Sequence, residues 1–230
     1  APGGSMIFPQ RGSSDAVIVD QIFYFILAIS IVFFVLIVGV MLLFVFKYRR
    51  TDHAAPEKSA SHSNTLEAVW SIIPAILVAI IFIWGFSGYM EMRQAPDDSY
   101  EIHVIAQKWS WSFQYPNGHI EPDLHVPADT NIQLVMTSND VIHSPYIPSF
   151  RLKMDVVPGR YNKTWFRAID PGSETKEYDL FCAEYCGDKH STMTAKVVVH
   201  PSGEFEKWLE DAANFLERMT PEEGGEVLYR

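Results

Sequence analysis

Two long uncharged segments near the start of the chain restrict its fold more than any other feature. Residues 22–46 and 68–90 form runs of 25 and 23 residues without Asp, Glu, Lys or Arg. As α-helices that rise about 1.5 Å per residue, both exceed the roughly 30 Å hydrocarbon core of a bilayer. Core helices of water-soluble domains keep a polar stripe and seldom run uncharged for so long. We therefore predict two membrane-spanning helices, over about residues 19–47 and 66–92.

Basic residues around these helices predict their orientation. The connecting segment carries four Lys and Arg residues between positions 47 and 58, whereas Arg11 and Arg93 stand alone at the opposite ends. Loops rich in Lys and Arg stay on the cytoplasmic side of a membrane. We therefore place the N-terminus and everything after residue 95 outside. The chain begins at Ala1 rather than Met, which predicts that a leader peptide has been removed.

The second half of the chain has the pattern of a β domain. Between residues 100 and 201, short runs rich in Val, Ile, Thr and aromatic residues alternate with turn sequences such as YPNGH, VPADT and DPGSE. This spacing predicts an all-β domain over residues 96–202. The sequence SGEFEKWLEDAANFLERM then predicts an amphipathic helix with Ser202 as its N-cap. Residues 1–95 are assigned to the membrane part and residues 203–230 to the helix and tail.

The charge of the chain excludes one class of partner. Its net charge is −10 and its pI is about 5.2, whereas a surface that binds nucleic acid needs clustered Lys and Arg. We therefore expect no nucleic acid partner. From Ala95 onward, 22 acidic residues stand against 12 basic ones. This excess favours solubility or the electrostatic attraction of a basic partner.

One short segment gathers residues that bind soft metals. Residues 181–193, FCAEYCGDKHSTM, hold the only two cysteines of the chain, Cys182 and Cys186, followed by His190 and Met193. A disulfide would leave the histidine and the methionine without a role, and small disulfide loops are geometrically demanding. Zinc binds a thioether poorly, whereas copper accepts thiolate, imidazole and thioether. Because the second cysteine can bridge to a second metal, a dinuclear copper centre is the simplest interpretation.

A dinuclear centre needs one more imidazole, and the pattern alone does not select it. His143, in NDVIHSPYIPSF, follows a predicted strand and can return over the cysteine segment in a sandwich. Four other histidines lie in the same half of the chain: His103, His119, His125 and His200. Spacing leaves these alternatives open.

The combined motifs resemble one known family. NDVIHSPYIPSFRLKMDVVPGR and FCAEYCGDKHSTM, preceded by the two spanning segments and QKWSWSFQYPNG, resemble subunit II of the haem–copper cytochrome c oxidases over about residues 15–210. The resemblance implies a two-helix transmembrane hairpin, an all-β cupredoxin-like Greek-key barrel and a C-terminal helix. It also implies a set of ligands for two copper ions: bridging thiolates from Cys182 and Cys186, one imidazole each from His143 and His190, and weaker ligands from Met193 and the backbone carbonyl of Glu184.

Three residues acquire further roles through the same resemblance. Trp109 would be the point where electrons from cytochrome c enter, although most tryptophans are core or interface residues. The carboxylate of Glu184 would bind a magnesium ion shared with subunit I, and its alternative is a solvated loop position. Glu67 would mark the entrance of a proton channel at the inner end of the second helix. Its alternative role is to complement the helix dipole.

The resemblance implies an electron-accepting subunit. It would take single electrons from cytochrome c at the outer face of a bacterial plasma membrane, or an equivalent energy-transducing membrane. It would pass them to haem in subunit I, where oxygen is reduced to water and protons are pumped; subunit III would be a further partner. The tail TPEEGGEVLYR resembles the lead-in to a fused cytochrome c domain, so we expect the chain to continue past Arg230. The alternatives are a membrane-tethered copper carrier and a free-standing cupredoxin electron carrier.

Overall fold

The computed structural model describes residues 4–50 and 61–214. The chain divides into two compact units, one over Ile18–Tyr89 and the other formed by Ala1–Val17 together with Met90–Arg230. The first unit is helical, and the second consists mainly of β-strands.

The helical unit contains the two predicted spans. Helices α1 (Ala16–Lys47) and α2 (Asn64–Arg93) begin and end within three residues of the predicted limits. Both are long and apolar enough to cross a bilayer. They pack against each other through Phe25 and Trp84, whose ring centroids are 5.6 Å apart. Large apolar side chains elsewhere on both helices are exposed, as expected of surfaces that contact lipid; examples are Phe34, Phe46, Phe82 and Ile83.

The β domain has ten strands in the described part of the chain. They are β1 (Tyr100–Gln107), β2 (Ser110–Gln114), β3 (Ile120–Glu121), β4 (Leu124–Pro127), β5 (Asn131–Ser138), β6 (Pro145–Ile147), β7 (Leu152–Lys153), β8 (Asn162–Arg167), β9 (Lys176–Cys182) and β10 (Thr194–His200). One sheet has the order β3-β2-β1-β5-β8, and the other has the order β4-β10-β9-β6-β7. Strands β1 and β5 pair in parallel, as do β4 and β10, while the other pairs are antiparallel.

The two sheets enclose one core. Side chains of β1 alternate in burial, so that Ile102, Val104 and Ala106 are fully buried while the residues between them are not. From the other sheet, β10 contributes Val197 and Val199 to the same core. Each Å² of apolar surface removed from water contributes roughly 25 cal/mol to the stability of this arrangement. The all-β prediction is confirmed, and the two-sheet arrangement agrees with a cupredoxin-like barrel.

The C-terminal helix begins later than the sequence predicts. Helix α3 (Phe205–Ala213) follows Gly203, whose φ of +82° interrupts helical backbone. Glu204 occupies the N-cap position and makes no side-chain capping bond, so the prediction of Ser202 as N-cap is wrong. The predicted helical residues from 215 onward and the tail lie outside the described residues.

A stack of aromatic rings holds α3 on the β domain. The rings of Trp208 and His125 lie parallel, with their centroids 3.9 Å apart. Nδ1 of His125 is 2.8 Å from Nε2 of His200, so one imidazole donates its N–H to the other. Burial, together with the neighbouring His200 and His119, lowers the pKa of His125 to about 4, and burial also lowers the pKa of His200. Both imidazoles are therefore neutral at pH 7.

We expect acidification to weaken the attachment of α3. A histidine whose folded-state pKa lies below its usual value of about 6.5 stabilises the fold above that value, and this contribution is lost as the pH falls toward the folded-state pKa. Between pH 7 and pH 5, docking of α3 should become less favourable by about 1 kcal/mol. The full pKa shift would give a larger change, but solvent screens part of the effect. Hydrogen exchange of the α3 amides in the intact chain, corrected for intrinsic rates, measures this change.

The control for this prediction is His125→Phe. Phenylalanine keeps a ring against Trp208 but cannot be protonated, so much of the pH dependence should disappear while α3 stays docked. An unchanged pH dependence in this variant would contradict the role given to His125.

Candidate metal centre

Two loops at one end of the β domain carry the candidate ligands. The first connects β9 to β10 and begins directly after Cys182, the last residue of β9. The second precedes β6 and contains His143, which exchanges backbone hydrogen bonds of 3.2 and 2.7 Å with Val156. Cys182 pairs with Pro145 of β6. Strand register therefore brings together two side chains that are 39 residues apart in the chain.

Three sulfur atoms and a carbonyl oxygen lie within one pocket. The Sγ atoms of Cys182 and Cys186 are 3.9 Å apart, well beyond the S–S bond of about 2.05 Å, and both thiols are free. Sδ of Met193 is 3.8 Å from Sγ of Cys186, and the carbonyl oxygen of Glu184 is 3.3 Å from Sγ of Cys182. The two cysteines and the methionine are buried. The sulfur atoms therefore converge in a space that is largely closed to water.

Each cysteine faces one imidazole. Nδ1 of His143 lies 3.9 Å from Sγ of Cys182, and Nδ1 of His190 lies 3.6 Å from Sγ of Cys186. His143 is fully buried, while His190 is half-buried. The ligand atoms of His143, Cys182 and Cys186 all lie within 4.8 Å of one another, which is close enough for a shared metal ion. The donors thus form two Cys–His pairs.

A carboxylate orients the buried histidine. Nε2 of His143 donates to Oδ1 of Asp140 at 2.8 Å, so Nδ1 is left as the free acceptor that faces Cys182. The backbone N–H groups of Val141 and Lys108 donate to the same carboxylate at 2.6 and 2.7 Å. Burial raises the pKa of Asp140, but these three hydrogen bonds outweigh it and lower the pKa to about 2. Sequence analysis missed Asp140, although it stands only three residues before the histidine.

The donor set fits copper better than zinc. Burial and the neighbouring Cys182 raise the pKa of the Cys186 thiol, so its thiolate form needs a cation beside it. Two thiolates, two imidazoles, a thioether and a carbonyl oxygen make a mixed, mostly soft set that copper accepts, whereas zinc sites rarely include a thioether. The assignment of copper to this pocket stays a prediction.

The other histidines that the sequence left open lie elsewhere. His125 and His200 hydrogen-bond to each other at 2.8 Å. His103 and His119 each contact a nearby glutamate, at 3.0 and 2.9 Å. Among these four histidines and His143, it is His143 whose ring lies beside the cysteines.

Trp109 packs on the cysteine loop. It occupies the turn between β1 and β2 and is half-buried. A Cβ atom at Gly187 would lie 3.2 Å from Cζ2 of Trp109, so a side chain at this position would crowd the indole. Nζ of Lys189 lies 5.9 Å from the centroid of the indole. Sequence analysis missed Gly187, and it also missed Trp111, whose ring centroid is 6.1 Å from that of His143.

Glu67 lies in the helical unit. It stands in the first turn of α2, where its backbone N–H donates to the carbonyl of Ser63 at 3.0 Å, and it is exposed. An acidic residue in the first turn interacts favourably with the helix dipole. This position is compatible with both predicted roles of Glu67. Residues 51–60, including Lys58 of the connecting segment, lie outside the described residues.

Family models match both parts of the chain. The model of the cytochrome c oxidase subunit II transmembrane domain matches residues 2–87, and the model of the subunit II periplasmic domain matches residues 119–200. The chain belongs to the cytochrome c oxidase subunit II family. The predicted family is therefore confirmed. This subunit II is a membrane protein with an outer β domain and a component of a cytochrome c oxidase, an oxidoreductase complex.

Individual relatives are similar over most of the chain. Cytochrome c oxidase subunit 2 of Thermostichus vulcanus is 28% identical, and the match covers 88% of this chain and 77% of the relative. Subunit 2 of Synechocystis sp. is 29% identical, with coverage of 90% and 76%. Among solved structures, the periplasmic domain of subunit II of the Bradyrhizobium japonicum oxidase is 29% identical. The match covers 53% of this chain and 98% of the solved domain, with a TM-score of 0.47.

Proposed function

We propose that this subunit II holds a dinuclear copper centre, which accepts single electrons from a cytochrome c and passes them to haem in subunit I. The supporting observation is that two free thiols, two imidazoles, a thioether and a carbonyl oxygen converge in one pocket. Such a centre supplies one-electron chemistry without bonds to a substrate. We place it at the outer face of a bacterial plasma membrane or an equivalent energy-transducing membrane, with subunit III as a further partner.

The protein contributes by holding the ligands in fixed positions. Cys182 is part of β9, and His143 is fixed by its hydrogen bond to Asp140 and by backbone pairing with Val156. Met193 is fully buried directly before β10. Side chains that are locked by packing and hydrogen bonds move little when the charge of a site changes. A rigid ligand set therefore favours fast gain and loss of an electron.

Trp109 is the proposed point where electrons enter. Its indole is partly exposed to solvent and also contacts Gly187, the residue next to Cys186. A donor that touches this ring is therefore separated from the cysteine loop by a single side chain.

Replacing Gly187 by alanine should slow electron acceptance. The new Cβ would meet the Trp109 indole at 3.2 Å, and the φ of +118° is unfavourable for any side chain, at a cost of about 1–3 kcal/mol. Gly118→Ala is the matched control, because Gly118 also has a positive φ, +88°, but no atom within 4 Å of the added Cβ. Stopped-flow oxidation of reduced cytochrome c should be slower only in Gly187→Ala. Equal slowing in both variants would contradict the role given to this contact.

Two glutamates have further proposed roles. The backbone carbonyl of Glu184 accepts a hydrogen bond from the Cys182 thiol, and the carboxylate of the same residue is proposed to bind a magnesium ion shared with subunit I. Glu67, in the first turn of α2, is proposed as the entrance of a proton channel that continues in subunit I. Oxygen reduction and proton pumping are assigned to the haem-bearing subunit.

Electron counting distinguishes this function from that of a copper carrier. Full-length protein loaded with copper and oxidised is mixed anaerobically with excess reduced cytochrome c, and haem absorbance gives the number of electrons taken up. We expect one electron per chain with the copper retained. No haem oxidation, accompanied by release of copper to an apo acceptor, would favour the membrane-tethered carrier instead.

A further inference from the structure

The two histidines of the candidate metal centre are held differently, and His143 is the more restrained of the two. Its Nδ1 faces Cys182, while its other ring nitrogen donates to Asp140 at 2.8 Å. Its backbone exchanges hydrogen bonds of 3.2 and 2.7 Å with Val156. The ring of Trp111 meets the imidazole in a T-shaped arrangement, with the centroids 6.1 Å apart. The protein alone therefore fixes this imidazole in the position from which it would bind a metal.

His190 has fewer restraints. It is half-buried and begins a short 3-10 helix, His190–Thr192, in the loop between β9 and β10. Its Nδ1 lies 3.6 Å from Sγ of Cys186, and its ring lies 5.7 Å from that of Tyr185, which is 75% exposed. Among the described residues, none forms a hydrogen bond with Nε2 of His190. This imidazole can therefore leave its place beside the cysteines more easily than that of His143.

The two cysteines join the better-held histidine in a compact set of donors. The ligand atoms of His143, Cys182 and Cys186 all lie within 4.8 Å of one another, and all three residues are buried. Ligands that the fold already holds in place lose less freedom when they bind, so they bind more tightly. Thiolates are soft ligands that favour Cu(I). These three donors therefore offer the first Cu(I) its most favourable position.

We propose that the two metal sites fill in a fixed order: the first Cu(I) binds to His143, Cys182 and Cys186, and the second binds only afterwards, together with His190. This inference rests on the proposed function and adds the order in which its centre is assembled. The two thiols release their protons to solvent as the thiolates bind metal. Both ions enter as Cu(I), so assembly of the fully reduced centre needs no oxidant.

Nuclear magnetic resonance of the histidine nitrogens tests this order. The full-length protein in detergent micelles, with isotope-labelled histidine, is titrated anaerobically with Cu(I) alone, which is diamagnetic. With one equivalent, the Nδ1 signal of His143 should move to its metal-bound position while the signals of His190 stay as in the metal-free protein. The signals of His190 should move with the second equivalent. Movement of His190 first, or of both histidines in parallel, would overturn the inference.

Substitutions give a second, independent readout. Asp140→Asn weakens the acceptor that orients His143, so the affinity for the first Cu(I) should fall about tenfold in competition with a chromophoric chelator. Asp188→Asn removes the same charge from an exposed position of the cysteine loop and should leave this affinity unchanged. His190→Ala should remove the second site and weaken the first less than Asp140→Asn does.

The outcomes separate this inference from the proposed function. An unchanged first affinity in Asp140→Asn, or a greater loss of first affinity in His190→Ala, would overturn the order of filling while leaving a dinuclear centre intact. An equal loss in Asp140→Asn and Asp188→Asn would also overturn it, because charge rather than the orientation of His143 would then control the first step. If the wild-type chain bound fewer than two Cu(I) ions, the proposed function itself would fail.

Discussion

Cys186→Ser is expected to abolish the dinuclear centre. Sγ of Cys186 lies within 3.9 Å of donor atoms from three residues, Cys182, His190 and Met193. A serine hydroxyl remains protonated at neutral pH and is a hard ligand, so it cannot replace a bridging thiolate. We expect copper to fall from two ions to at most one per chain. Electron uptake from cytochrome c should fall at least about a hundredfold.

Met193→Leu is the matched control for the cysteine variant. Met193 is buried in the same pocket, and leucine has a similar volume, so the packing should be nearly unchanged. Because a thioether is a weak ligand, we expect two coppers to remain bound with an altered redox potential. Two coppers in Cys186→Ser would refute the bridging role of this thiol. Loss of all copper in Met193→Leu would show that the thioether is an essential ligand.

Trp109→Leu is expected to have the second largest effect. Leucine retains apolar contact with the cysteine loop but removes the indole that a donor would touch. A tryptophan at the centre of an interface typically contributes about 2 kcal/mol or more to binding, so the rate at subsaturating cytochrome c should fall about 30-fold or more. The copper content and the paramagnetic spectrum should stay as in the wild type, because Trp109 donates no ligand atom.

The control for this variant is Trp208→Phe. Trp208, in α3, stacks on His125 in the cluster that attaches this helix to the β domain. Stopped-flow rates with reduced cytochrome c should be unchanged in Trp208→Phe. A comparable loss of rate in both tryptophan variants would mean that electrons do not enter specifically at Trp109.

Local sequence patterns predicted the elements whose cause is local. The uncharged runs define α1 and α2 because spanning a bilayer requires a minimum apolar length. The ligand types in residues 181–193 are readable because one loop carries most of the donors. The predicted start of α3 was wrong because Gly203 adopts a positive φ. A serine followed by acidic residues does not reveal this backbone conformation.

Contacts between distant segments could not be predicted in the same way. The choice of His143 among five histidines depends on the pairing of β6 with β9, which spacing does not specify. Asp140 was missed because its partners, the His143 ring and the Lys108 backbone, are defined only in the folded chain. Gly187 matters because Trp109, in the turn between two strands of the other sheet, packs against it.

Metal analysis combined with electron paramagnetic resonance on the oxidised full-length protein tests the central claim most directly. The facing thiols of Cys182 and Cys186, each beside one imidazole, predict two coppers per chain and a single unpaired electron coupled to both nuclei. One copper with a mononuclear spectrum, or a zinc ion in the same pocket, would contradict the account.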